Sequence, residues 1–465
     1  MKKSIKLHSL IFATLLFYAS NPSFAQYIKL FDFTDTITGS APFGSLISDG
    51  TYLYGMTFSG GLYDRGTIFK IKTDGTDFNK LLDFSGIQNG GSPYGGLYAN
   101  GDFLYGVTGG GGVNNKGVLF KIKPDGSGFS ILFQFDSLSG SSPQGNLIFD
   151  GTYLFGMTYS NGTDNSGTIY KIKMDGSGFS KLYDFVYALS GGLPRGSLYY
   201  DGDFLFGMTE EGGVNYVGTI FKIKTDGTGF SKIFDFNNGV FGRFPEGSFI
   251  SDGIYLYGTT RGGGTNYRGN IFRIKPDGND YSQIVDFDTV GGTNIHSTLV
   301  SDGEFFYGIT TIGGIYGDGI IYRVKPDGSN YSKLYEFSNT LNLSGRYPES
   351  SLLLDGSSLY GTTTNGGVNT DAGVIYKLDI ITGISNSLVE NNFSVYPNPT
   401  TAKVYITGNN YNNIEIYNSI GQKISIRKFL NQRSNEFDLS DLPKGIYLLK
   451  IYHEKNIFNK KIIVD

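Results

Sequence analysis

The 465 residues carry a net charge of −4 and only 17% are charged, which provides no long-range field for nucleic acid or an anionic membrane surface. Sixty-nine glycines with 34 Tyr and 37 Phe favour strands joined by tight turns over helices. Cysteine is absent, which excludes disulfides, thiolate metal sites, cysteine nucleophiles and a lipid anchor on an N-terminal Cys.

Residues 1–25 begin with Lys2, Lys3 and Lys6, continue with an apolar run over 10–18, and end in Ser23-Phe24-Ala25. This predicts a signal peptide cleaved between Ala25 and Gln26. The run is too short to span a bilayer, and no later stretch reaches the ~18 apolar residues a membrane helix needs.

From residue 26 to 380 a repeat of roughly 50 residues dominates. An aromatic-Gly pair recurs at Gly55, Gly106, Gly156, Gly207, Gly258, Gly308 and Gly361. Each copy predicts four strands, a to d, at 29–33, 44–47, 52–57 and 66–72 in the first copy. Run d carries the signature, from GTIFKIK at Gly66 to GVIYKLD at Gly373. Asp/Asn-Gly pairs such as Asp49-Gly50 and Asp74-Gly75 make the b–c and d–a links tight hairpins. The c–d link is a longer Gly-pair loop, and only the a–b link is long and irregular. The unit is therefore a b-c-d-a meander, the size of a propeller blade. An orphan a run opens the chain and the seventh copy lacks one, so the first strand can complete the last blade and close the ring. The expected fold is all-β, a seven-bladed β-propeller followed by a small β-sandwich. The repeat region also resembles exported bacterial tandem-repeat proteins built on a G-T-[IV]-[FY]-K-[IL] signature, a resemblance that implies architecture and no chemistry.

Residues 381–392, rich in Ser and Asn, are expected to form a linker. Residues 393–465 then alternate short apolar runs with turns, at 393–396, 403–406, 414–417, 423–426, 446–451 and 460–464. Four blocks stand in order: Val395-Tyr396-Pro397-Asn398-Pro399-Thr400, Ile416-Tyr417-Asn418-Ser419-Ile420-Gly421-Gln422, Leu439-Ser440-Asp441-Leu442-Pro443-Lys444-Gly445-Ile446-Tyr447, and Lys460-Lys461-Ile462-Ile463-Val464. Together they resemble the type A sorting domain of the type IX secretion system. The resemblance implies passage across a Gram-negative outer membrane through that machinery, with release or surface attachment.

Chemistry is sparse. Three histidines, His8, His296 and His453, leave one in the repeat, too few for a His metal site or a Ser/His/Asp constellation. No metal site, cofactor or catalytic residue is therefore expected. The Asp-Gly segments have the spacing of turns and lack the distal Glu of a calcium loop. Asp32, Asp83, Asp184, Asp235, Asp286 and Glu336 recur once per blade, whereas a catalytic pair needs two unlike environments in one place. These carboxylates are expected to be structural.

Strand direction places the a–b crossings and c–d loops on one face of the disc. Inside a repetitive P-x-G frame on that face, one position reads Phe43, Tyr94, Gln144, Arg195, Glu246, His296 and Glu349. A second, after run c, reads Phe58, Gly109, Tyr159, Glu210, Arg261, Thr311 and Thr364. If b is the innermost strand, the first set rings the mouth of the central channel and is the candidate ligand site. The expectation is a monomeric, secreted or surface-held, non-catalytic binding protein for a glycan or surface protein. Two alternatives are a polysaccharide-active enzyme, which would need an asymmetric acidic cluster in the channel, and a purely structural surface component.

Overall fold

In the computed structural model the Asp-Gly links turn as their side chains dictate. Asp49 Oδ1 accepts from the backbone N–H of Thr51 and Tyr52 at 2.8 and 2.7 Å, and Asp150, Asp201, Asp252 and Asp302 repeat the arrangement. The structure describes residues 25–380 apart from 238, 341–342 and 369–370, and then 394–396, 400, 403–407, 413–418, 423–428, 436–442, 445–453 and 456–464. Residues 1–24 of the expected signal peptide 1–25, and the linker 381–392, lie outside the described residues.

The first complete blade is an antiparallel sheet of Ile47–Ser48, Tyr52–Thr57, Thr67–Lys72 and Asn79–Asp83, in that order from inside to outside. Five more blades follow along the chain to Glu336, the third with an added segment, Ser141–Pro143. The seventh joins Leu353–Asp355, Ser358–Thr363 and Val374–Ile380 to Ala25–Asp32, the leading strand, which lies antiparallel to Val374–Ile380 with Tyr27 opposite Leu378. This is the closure expected from the orphan run, begun four residues earlier.

The repeated aromatic-Gly pair has a specific cause. Gly55 stands opposite Phe69 in the ladder, and a Cβ on Gly55 would sit 2.6 Å from the Phe69 ring. Gly207 meets Phe221 at 2.4 Å in the same way, so the glycine makes room for the aromatic of the d signature.

Each apolar core belongs to two blades. Tyr54, Met56, Ile68 and Phe84 of the first pack with Leu97, Leu104, Val118 and Phe120 of the second. Phe33 and Ile375 of the seventh pack with Leu53 and Phe69 of the first. A strand buried on both faces explains why the c runs do not alternate.

Two features depart from the sequence expectation. Most innermost strands are only two residues long, because the Gly-rich start of run b lies against the neighbouring blade instead of pairing. The a–b crossings are less irregular than expected: short helical turns form at Asp35–Thr38 and Tyr187–Ser190, and crossings bridge to the c–d loop they approach, as at Ser40 with Ser59.

The chain divides into two compact units between Ile381 and Thr382. In the second, a three-stranded sheet (Ser394–Tyr396, Lys403–Thr407, Glu436–Asp438) and a four-stranded one (Lys423–Lys428, Asn413–Asn418, Gly445–His453, Asn456–Val464) share a core including Val404, Ile406, Ile416, Leu449 and Ile451. Glu436–Asp438 is a strand the sequence did not announce, since three residues are too few to show alternation. Among the described residues no helix is long and apolar enough to cross a membrane.

Candidate functional site

Around the axis the blades approach so closely that one backbone position is glycine in five of them (Gly44, Gly95, Gly145, Gly196 and Gly247) and a buried serine in the other two (Ser297 and Ser350). A Cβ at Gly196 would lie 2.1 Å from the Gly247 carbonyl oxygen, and one at Gly145 2.4 Å from that of Gly196. The residue just before this position lines the opening in every blade. Phe43, Tyr94 and Gln144 from the first three blades, and Arg195, Glu246, His296 and Glu349 from the rest, surround one cavity of about 410 Å³. All seven residues selected from the P-x-G frame converge there.

The floor of the cavity is a hydrogen-bonded girdle that the sequence reading missed. The backbone N–H of Gly96 donates to Asn146 Oδ1, that of Asn146 to Ser197 Oγ at 2.8 Å, and that of Ser197 to Ser248 Oγ at 2.7 Å. The series continues through Thr298 and Ser351 at 2.8 and 2.9 Å. Its trace in the sequence was the small polar residue two places after x, legible only once that position is known to face the next blade.

The mouth has two unlike halves. On one side Phe43 stacks on Tyr94 with centroids 5.1 Å apart, and Phe58 packs against both at 5.4 and 4.7 Å. On the other, Arg195 and Arg261 cross-link Glu210 and Glu246. Arg195 Nε lies 2.6 Å from Glu210 and Nη1 3.8 Å from Glu246, while Arg261 lies 3.5 and 2.9 Å from the same two. Each guanidinium also covers an aromatic ring, Arg195 over Tyr159 at 5.2 Å and Arg261 over Phe244 at 5.0 Å. His296 Nδ1 donates to Glu246 Oε2 at 2.6 Å, an acceptor-only carboxylate fixing the tautomer. Phe58, Tyr159, Glu210 and Arg261 are all members of the second variable set.

The carboxyls respond differently to this setting. Burial pushes Glu246 up, but the His296 hydrogen bond and the charges of His296, Arg195 and Arg261 outweigh it and hold Glu246 below the usual range. Burial and the neighbouring Glu246 raise Glu210. Glu349 is raised as well, by burial and by Glu246 against the pull of His296 and Arg195.

The once-per-blade carboxylates sit elsewhere, on the outer strands. Asp83 Oδ1 accepts the Leu62 N–H at 2.9 Å, Asp235 that of Val214 at 2.9 Å, and Asp32 that of Val368 at 3.0 Å, each tying down a c–d loop. In the second blade Gln134 accepts from Val113 at 2.8 Å, so the position needs an acceptor and no acid. Ala25 and Gln26, flanking the expected cleavage point, begin the closing strand opposite Ile380 and Asp379.

The chain matches the model of the Gloeobacter/Verrucomicrobia repeat over residues 16–159, 149–311 and 255–413, and that of a secretion system C-terminal sorting domain over 394–465. Among curated proteins no sequence matches. Similar solved structures include the extracellular domain of a putative hybrid two-component system from B. thetaiotaomicron, with 13% identity, TM-score 0.51, and coverage of 92% of this chain and 51% of that one. A putative 6-phosphogluconolactonase from Bacteroides fragilis gives 17% identity and TM-score 0.46, over 71% of this chain and 98% of that one. A puromycin-hydrolyzing peptidase of Mycobacterium tuberculosis gives 14% identity and TM-score 0.48, over 73% and 52%. The chain thus spans about half the length of the two-component protein and of the peptidase.

Proposed function

Since the chain belongs to the Gloeobacter/Verrucomicrobia repeat family and ends in a type IX sorting domain, we propose that this exported propeller binds a ligand in the mouth of its channel, on the loop face. The sorting domain directs it to the cell surface or the medium. The observation that supports binding is the division of one cavity, built from seven equivalent positions, into an aromatic half and a charged half. A rigid ring whose copies agree in their frame and differ at the axis suits recognition. Replacing Tyr94, Arg195 and Glu246 together should abolish binding of a captured surface glycan or protein while leaving the circular dichroism of the ring unchanged. Retained affinity would remove the mouth as the site.

One observation favours a second reading. Glu246 is held low and Glu349 high around one cavity, two unlike carboxyls of the kind polysaccharide-active enzymes use as base and acid. Incubating the protein with the glycans it binds separates the two: products that vanish in Glu349→Gln would make it an enzyme, and intact glycans a binding protein.

A further inference from the structure

The charged half of the mouth is closed upon itself. Arg195 and Arg261 are shared between Glu210 and Glu246, and His296 is engaged by Glu246. Glu349 is left over: among the described residues it forms no ion pair, although it lines the same cavity. Glu210 and Glu246 take up both guanidinium groups and Glu246 the imidazole, so Glu349 is the one carboxylate of this mouth without a cation in contact among the described residues.

The aromatic half shows the complementary vacancy. Elsewhere around this mouth the protein lays a cation across each ring, Arg195 on Tyr159 and Arg261 on Phe244, with a carboxylate beside it. Phe43, in the blade that follows Glu349 around the ring, and Tyr94, one blade further on, line the same cavity, and among the described residues no Lys or Arg lies over either. Aromatic faces beside a carboxylate thus occur in both halves, and only one half supplies its own cation.

We infer that the ligand supplies the other: the space bounded by Phe43, Tyr94 and Glu349 is a subsite for an organic ammonium group, paired with Glu349 and laid against the rings. This rests on the mouth being the binding site and names the ligand class it takes. A ring face attracts a desolvated ammonium, and a partly buried carboxylate adds charge and a hydrogen-bond acceptor. A neutral sugar would use the rings alone, and an anion would be repelled by Glu349. Protonating Glu349 should weaken binding. The groups facing it are His296, Glu246 and Arg195, with Tyr94 across the cavity. Its carboxyl ionises above the usual range, so affinity for an ammonium should already fall at a mildly acidic pH where exposed glutamates remain charged.

The test is calorimetric titration of the full chain at neutral pH and low salt with a glucosamine trisaccharide, its N-acetylated counterpart and choline. The aminated sugar should bind at least about tenfold more tightly than the acetylated one. That preference should disappear in Glu349→Gln, and Tyr94→Ala should weaken both sugars. Choline binding that Glu349→Gln abolishes would also support the subsite, assigning it to the ammonium head without a sugar. Equal affinity for the two sugars with no choline binding, a preference that survives Glu349→Gln, or no binding of either cationic probe would overturn it. If the acetylated sugar binds and Tyr94→Ala releases it, the mouth remains a binding site without an ammonium subsite. Sugar binding indifferent to both substitutions would instead discard the mouth itself.

Discussion

The glycine opposite each signature aromatic is a packing residue, and its replacement has a calculable sign. Gly207→Ala drives a methyl to 2.4 Å from the Phe221 ring, and overpacking of this kind costs about 1–3 kcal/mol in chemical denaturation. Gly202, in a turn with φ of +108° and open space around it, should cost about 1 kcal/mol for the backbone alone. Adding Phe221→Leu should restore part of the Gly207→Ala loss and none of the Gly202→Ala loss. At the outer carboxylates, Asp235→Asn keeps an acceptor for the Val214 N–H and should be nearly neutral. Asp235→Ala removes it and should cost roughly 1–2 kcal/mol. Glu349 is the opposite case. Its folded-state ionisation lies above its unfolded one, so the folded protein loses stability as pH rises through that window. Glu349→Gln should therefore raise the melting temperature at neutral pH, and the gain should shrink below the ordinary glutamate range.

Among elements, Ala25–Asp32 is the one on which closure depends. Its Tyr27 stacks on Tyr335 of the sixth blade at 4.1 Å and donates to the Ser344 carbonyl at 2.6 Å, while Phe31 stacks on Phe78 of the first blade at 4.0 Å. The strand thus contacts both neighbours of the blade it completes. Phe33→Ala, at a position only 1% exposed, should cost about 3–5 kcal/mol. Deleting residues 25–33 should lower the denaturation midpoint further, and a synthetic peptide of that sequence should restore it by adding the missing strand in trans. An unchanged midpoint after deletion would mean the ring does not need its closing strand. The inner girdle is weaker per bond but repeated, and Ser248→Ala should strand the Ser197 N–H at a cost of about 1–2 kcal/mol.

For the molecule as a whole, sharing each core between two blades makes stability a property of the closed ring. Residues 26–380 should scatter as a disc with a radius of gyration of about 20 Å, against a longer rod for an open stack. The C-terminal unit has its own core, so removing residues 394–465 should leave the propeller folded but retained in the periplasm, which fractionation of an expressing cell would show. Export of the truncated chain would mean that another segment carries the signal.

The sequence by itself determined the blade and its number, because turns and ladder pairs are short-range: an Asp-Gly hairpin or a Gly opposite an aromatic recurs with its copy. It also marked the seven axial positions, since they vary inside a repeated frame. Only the tertiary structure decided what those positions do together. Phe43 and Glu349 stand 306 residues apart in the chain yet line one cavity, and the pairing of Arg195 and Arg261 with Glu210 and Glu246 joins two variable sets from different blades. The two-residue inner strands and the girdle were hidden for the same reason. Their partners are supplied by the next blade, and contacts between repeats leave no periodic mark within one.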